Sequence, residues 1–221
     1  MRNLGLQILL ASGVAIMAGS AQAAPITSLY NTGVDASGNP LANNSAEIHY
    51  SLISVPGGSS TDLRVLTAAN NFPVGPWLGD DALSAWVVPT GASDATAPSG
   101  LYTYRISFDL TGFDAATASI IGQWATDDPG LDILVNGATT GFASGGFSSF
   151  SSFSLSGNFV AGINTLDFVL NNGGGPTGLR VEMSGDARVV TEGGPGVPEP
   201  ASMTLIAAGV GVIAFFRRRL A

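Results

Sequence analysis

Leu101-Tyr102-Thr103-Tyr104-Arg105-Ile106-Ser107-Phe108-Asp109-Leu110 alternates between two kinds of side chain. Tyr102, Tyr104, Ile106, Phe108 and Leu110 fall at even positions, and Thr103, Arg105, Ser107 and Asp109 fall between them. Successive side chains of a strand point to opposite faces, so this period of two places one face on a core and the other in solvent or under polar neighbours. A helix would spread the same apolar residues around its whole circumference.

The pattern extends in both directions along the chain. Residues 46–54, 63–67, 84–88, 118–125, 131–136, 147–155, 165–170 and 179–190 are short apolar runs bounded by glycine, proline, asparagine or aspartate. With 101–110 they give nine expected strands, the last interrupted near Gly185. Leu166, Phe168 and Leu170 alternate with Thr165 and Asp167; Leu179, Val181 and Met183 alternate with Arg180 and Glu182. Asn136-Gly137 is a hairpin signal, because both residues accept a positive φ. Phe147, Phe150 and Phe153 are three apart and cannot share one face of a regular strand, so a bulge or an exposed edge is expected. The resulting fold class is all-β, an antiparallel β-sandwich of jelly-roll-like type, with helix confined to the two ends.

Composition removes several function classes. The 221 residues contain no cysteine, no lysine and one histidine, His49. Disulfides, thiolate metal sites, cysteine nucleophiles and histidine-rich metal sites are thereby excluded. Between Ala24 and Pro200 four arginines face all sixteen acids, a net charge of −12 against −8 for the whole chain. A nucleic-acid binder needs the opposite sign to displace counterions from phosphate.

The two ends read as addresses. Residues 1–23 carry Arg2, an apolar stretch over 4–18, and then Ala21-Gln22-Ala23, the small-x-small pattern cut by signal peptidase, with cleavage expected after Ala23. The body is then 24–190, followed by a Gly/Pro linker at 191–197 and a tail at 198–221. That tail holds Pro198-Glu199-Pro200, an apolar helix over 201–216 and the basic stop Arg217-Arg218-Arg219. Sixteen helical residues span about 24 Å, short of the roughly 30 Å hydrocarbon core, so the helix crosses with local thinning or snorkelled flanks. The arginines hold the C-terminus in the cytoplasm and leave the acidic body outside.

This tail resembles the PEP-CTERM sorting signal of Gram-negative, exopolysaccharide-producing bacteria. The resemblance implies recognition at the cytoplasmic membrane by an exosortase, a transpeptidase-like enzyme that cuts near Pro198, Glu199 and Pro200 and releases the body. A plain C-terminal anchor is the alternative. Within the body, Tyr102-Thr103-Tyr104-Arg105, the stretch from Gly122-Gln123-Trp124 to Asp127-Asp128, Ile133-Leu134-Val135-Asn136-Gly137, Gly162-Ile163-Asn164 and Gly178-Leu179-Arg180-Val181 are similar to pieces of galactose-binding-like jelly rolls. The usual Trp-x-x-Asp-Asn reads Trp-x-x-Asp-Asp here.

The chemistry-bearing residues divide by their surroundings. His49 lies in an expected strand opposite Ile48, and no Gly-x-Ser-x-Gly elbow occurs, so a solvent-facing histidine is expected rather than a hydrolase triad. The run from Gly173 to Gly178 matches G-x-G-x-x-G but continues into a strand, without the helix a phosphate site needs. Asp127, Asp128 and Asp132 share a tight turn whose oxygens could take Ca²⁺, but their spacing does not fit the usual calcium loop and ordinary solvated turn aspartates are the favoured reading. No other cofactor is expected. Trp77, with Asp80 and Asp81 beside it, is the candidate ligand platform, since an exposed indole covers the apolar face of a sugar while carboxylates take its hydroxyls. Trp124, in register with Ala118 and Ile120, is expected in the core.

The expected protein is thus an exported, non-enzymatic sandwich with a structural or adhesive role at the cell surface or in the extracellular matrix, carbohydrate being the ligand class that fits. Signal peptidase, exosortase, the membrane and exopolysaccharide are its expected partners. The alternative is a secreted glycan-active enzyme using paired carboxylates, which requires two carboxyls converging in a deep cleft.

Overall fold

The computed structural model describes residues 22–57, 59–68, 76–89 and 95–190. The expected signal segment up to Ala21 and the linker, Pro-Glu-Pro motif, expected apolar helix and arginine stop lie outside the described residues. Contacts divide the chain into two units, Met1–Val189 and Val190–Ala221. Among the described residues, all of the strands belong to the first unit.

In chain order these strands are β1 (Ala23–Pro25), β2 (Tyr50–Ser54), β3 (Arg64–Leu66), β4 (Trp86–Val88), β5 (Thr96–Ala97), β6 (Gly100–Asp109) and β7 (Phe113–Asp127). Next come β8 (Gly130–Val135), β9 (Ala138–Thr139), β10 (Ser151–Leu155), β11 (Ile163–Asn172), β12 (Gly175–Pro176) and β13 (Gly178–Val189). One sheet has the order β10-β7-β13-β4-β3, with β1 on the far end of β13; the second has the order β2-β6-β11-β8-β9, and β5 pairs with β12. Every pairing is antiparallel. From β6 onward the long strands alternate between the sheets, which is a jelly-roll path and closes a core between the two faces.

That core has the composition the β6 alternation demands. Tyr102, Tyr104, Ile106, Phe108 and Leu110 are all buried, and their partners from β11, Leu166, Phe168 and Leu170, are fully so. Trp124 and Ile120 of β7 and Leu179 and Val181 of β13 close the other side, Trp124 packing on Phe168 with ring centroids 5.6 Å apart. Each large apolar side chain removed from water in this way contributes roughly 1.5–3 kcal/mol. Asn164, buried at the start of β11, donates to the carbonyls of Val160 and Gly162 and accepts from Val160 N–H and Asn136 Nδ2, so one amide locks the turn in front of a core strand. Asn136 and Gly137 have φ of 50° and 82° in the two-residue turn between β8 and β9, as the hairpin signal required.

Two polar faces depart from a simple alternation. On the outside of the second sheet, Asp167 of β11 stands directly opposite Arg105 of β6, and the two make a bidentate pair at 2.6 and 2.7 Å. On the outside of the first sheet, the expected polar row of β13 is covered over half its length. Leu66, Trp77, Trp86, Val88, Ala95 and Ala125 form a second apolar cluster there, flanked by Leu78, Phe147 and Phe150. This resolves the three-residue spacing of the phenylalanines. The strand begins only at Ser151, so Phe153 points into the main core while Phe147 and Phe150, ahead of it, cover the outer face.

Candidate functional site

Arg180 organises the outer face of the first sheet. It sits in β13 between Leu179 and Val181 and is fully buried, although the strand alternation assigns it to the polar side. Its Nε donates to Ser84 Oγ at 2.7 Å, its Nη1 donates to Gly79 O, and its Nη2 pairs with Asp81 Oδ2 at 2.6 Å. The Phe150 ring lies 5.4 Å from the guanidinium carbon. A planar fork with donors on every edge suits this task, because one side chain meets three separate points of a loop. The loop before β4 is thereby fixed against the sheet.

The expected ligand platform lies inside this arrangement and not on its surface. Trp77 is 5 % exposed, packs against Trp86 with ring centroids 4.3 Å apart and planes tilted by 44°, and donates from Nε1 to Asp127 Oδ2 at 2.8 Å. An ideal Cβ on Gly178 would come within 3.1 Å of the indole, so the ring rests on bare backbone. The exposed-tryptophan reading of Trp77 is therefore corrected: a loop residue in sequence, it is a core residue of the second cluster. Trp86 and Trp124 are buried as well. Asp81 is held below the ordinary carboxylate range: burial pushes it up, but the N–H groups of Leu83 and Ser84 and the Arg180 charge outweigh that. Asp80 accepts from Ala68 N–H at 2.8 Å. Both aspartates serve the loop's own geometry.

The aspartates of the β7–β8 turn have separate partners. Asp127 faces Trp77, and burial together with the neighbouring Asp128 pushes its carboxyl up to about 6 against the lowering effect of the indole N–H. Its backbone carbonyl accepts from Thr177 Oγ1. Asp128 Oδ2 accepts from Gly173 N–H at 2.6 Å, which ties the glycine-rich run to the turn. Asp132 Oδ1 accepts from the N–H groups of Ile133 and Gly141 and from Thr140. Among the described residues no three His, Asp or Glu side chains gather as a metal site. His49, expected to face solvent, is half-buried and stacked on Tyr30.

Beside the Arg180 network the outer face stays open and carries a groove of about 590 Å³. Its floor is the outward row of β7 and β13, where Gln123 stands opposite Glu182 and Ile121 opposite Ser184, with Ser152 of β10 beyond. Asn31 and Leu83 form its wall. Glu182 accepts from Gln123 Nε2 and from Ser84 Oγ, both at 2.8 Å, so the carboxylate is oriented by the same serine that Arg180 holds. Ile121 and Leu83 are 59 % and 58 % exposed. The groove thus sets exposed apolar edges beside a fixed amide, a fixed carboxylate and hydroxyls. Asp127 and Asp128 do not line it. Sequence reasoning misses it because its residues lie far apart in the chain; the one local signal is polarity on the outward positions of β7 and β13, at Gln123 and Glu182.

Comparison with known proteins covers the tail and the body separately. Residues 196–219 match the PEP-CTERM protein-sorting motif. A tail of this kind implies export and processing from a membrane-anchored state. No curated protein matches the chain. In structure, the chain is similar to the CBM36-1 domain of a multidomain xylanase from the hindgut metagenome of Trinervitermes trinervoides, with 16% identity, a TM-score of 0.32, and coverage of 55% of this chain and 86% of that one. It is also similar to CBM35 from Paenibacillus barcinonensis, with 17% identity, a TM-score of 0.31, and coverage of 60% and 96%. The GH26-CBM35 β-(1,4)-mannanase of Podospora anserina shows 16% identity and a TM-score of 0.33, over 70% of this chain and 33% of that one.

Proposed function

We propose that the protein is an exported, non-enzymatic component of the cell surface or extracellular matrix that binds polysaccharide through the groove on its outer sheet face. The tail supplies the route: signal peptidase frees the N-terminus at Ala24, and an exosortase cuts near Pro198-Glu199-Pro200. The observation that carries the binding reading is the Gln123–Glu182 pair standing beside exposed Ile121. A pyranose has apolar C–H faces and a rim of hydroxyls, and it needs an apolar edge together with oriented donors and acceptors. Pre-oriented polar groups lower the ordering cost of binding.

Charge narrows the ligand. Arg64, Arg105 and Arg180 are each paired with an aspartate at 2.6 Å, and the fourth arginine of the body, Arg188, sits at the far end of β13. A body with four arginines against fourteen acids, a net −10 over residues 24–190, and three of those cations so engaged, repels anionic polymers and suits neutral ones. The test is a glycan array read with the exported protein, run beside a screen for release of reducing sugars. Retention on neutral glycans without turnover is expected. Turnover of any polysaccharide would overturn the non-enzymatic reading.

A further inference from the structure

The groove does not end at its wall. A second depression, of about 330 Å³, is lined by Thr27, Leu29, Tyr30 and Gly38 and shares Asn31 and Met183 with the first. Asn31 is fixed at the junction, donating from Nδ2 to Leu83 O at 3.0 Å and accepting from Met183 N–H at 2.8 Å. It contributes to both sides and is held in place by the backbone on each.

The second depression contains what the first lacks, an aromatic side chain that is only half-buried. Tyr30 is half-buried and lines it, whereas His49, which does not line it, stacks on the Tyr30 ring with centroids 3.6 Å apart and planes within 5°. The Tyr30 backbone and the His49 ring each have a partner of their own. Tyr50 Oη donates to Tyr30 O at 2.8 Å, and His49 Nε2 lies 3.3 Å from Asp35 O. A ring held by such a stack loses little freedom when a ligand meets it, which is the property that makes aromatic platforms effective.

We propose that Tyr30, backed by His49, is the platform of a second sugar subsite, and that the two depressions form one trough for an internal stretch of a neutral polysaccharide. One sugar unit meets Gln123 and Glu182 in the groove, and a later unit of the same chain lies against Tyr30. This rests on the glycan-binding reading and adds to it a stacking residue and a requirement for chain length. Neutrality follows from the charge of the body, and an anionic chain is the outcome the test must exclude.

The experiment is isothermal titration of the exported protein with two- and six-unit oligosaccharides of β-glucan, mannan and galactan, and with a six-unit uronic acid oligomer. For at least one neutral series the six-unit probe is expected to bind about tenfold more tightly than the two-unit probe. Tyr30→Ala should remove that gain and leave the two-unit affinity unchanged. Tyr30→Leu, which keeps apolar bulk for packing but no ring, should do the same, so loss of fold is separated from loss of stacking. Wild-type affinity for the six-unit probe in Tyr30→Leu, with weakening in Gln123→Ala, would overturn the Tyr30 subsite and leave the groove reading standing. Binding to none of the probes, or tighter binding of the uronic acid oligomer, would overturn the trough and the neutral-glycan reading together.

Discussion

The guanidinium of Arg180, fully buried in β13, meets the carboxylate of Asp81 at 2.6 Å, and through this pair a surface loop becomes part of the sheet it covers. The same guanidinium holds Ser84, Ser84 orients Glu182, and Glu182 takes the amide of Gln123. A continuous set of hydrogen bonds therefore runs from the second apolar cluster to the floor of the groove. Stability and the proposed binding surface share one anchor.

Removing that anchor should be costly. Arg180→Leu leaves Gly79 O, Ser84 Oγ and Asp81 without their donor beneath a closed loop, and about 3 kcal/mol of stability should be lost. Arg180→Lys restores a charge without the fork and should fall between the two. Urea unfolding of the three proteins measures this, and a loss below about 1 kcal/mol for Arg180→Leu would show that the loop does not depend on the guanidinium.

Asp127 gives the fold a pH dependence of definite sign. Its carboxyl is raised to about 6 from an ordinary 3.8, so the folded state holds the proton more tightly than the unfolded chain does. The associated stability is fully present below 3.8 and is lost as pH rises through about 6, at most about 3 kcal/mol and less where water reaches the group. Urea midpoints should be higher at about pH 4.5 than at about pH 7.5, and Asp127→Asn should flatten the curve in that window. Asp81 is lowered and acts below it, as do the exposed Asp35 and Asp109. An unchanged slope in Asp127→Asn would assign the dependence to the general acidity of the body.

The main core admits no added atom at Gly130, where an ideal Cβ would stand 2.3 Å from the Trp124 ring. Gly130→Ala must push the indole off Phe168 or bend the β8 start, at a cost of about 1–3 kcal/mol or more. Tryptophan near-UV dichroism together with thermal unfolding reports it, and a variant with native signal and melting temperature would contradict this packing.

The alternation over residues 101–110 is enough to place five core residues, four in β6 and Leu110 just beyond it, because a chain segment with one face on a core has no other way to hide five large apolar side chains. Trp124 follows from its register with Ile120, and the Asn136-Gly137 turn from backbone sterics. What the residues do not disclose is that the outer face of β13 is covered. Arg180 reads as a solvent-facing residue until the loop carrying Trp77 is known to fold back over Gly178, a contact between distant segments that no local pattern encodes. Trp77 misleads for the same reason. The groove, drawn from β7, β10, β13 and two loops, has no sequence signature beyond the outward polarity of Gln123 and Glu182.

Processing can be read directly from masses. The exported protein should begin at Ala24, the second residue of β1, whose pairing with β13 survives a cut at Ala23 through Ala24 and Pro25. Its C-terminus should fall near Pro198. Intact mass spectrometry of a surface fraction that still contained Arg217 to Arg219 would establish a permanent anchor instead.

The most direct measurement is the affinity of the exported protein for the neutral glycan that retains it, compared with Gln123→Ala and Ile121→Asp by isothermal titration. Both positions lie on the outer face of the sheet, so thermal unfolding should be nearly unchanged. The groove account requires each substitution to weaken binding about tenfold or more. Affinities equal to wild type in both variants, with the fold intact, would contradict it and place any glycan site elsewhere on the sandwich.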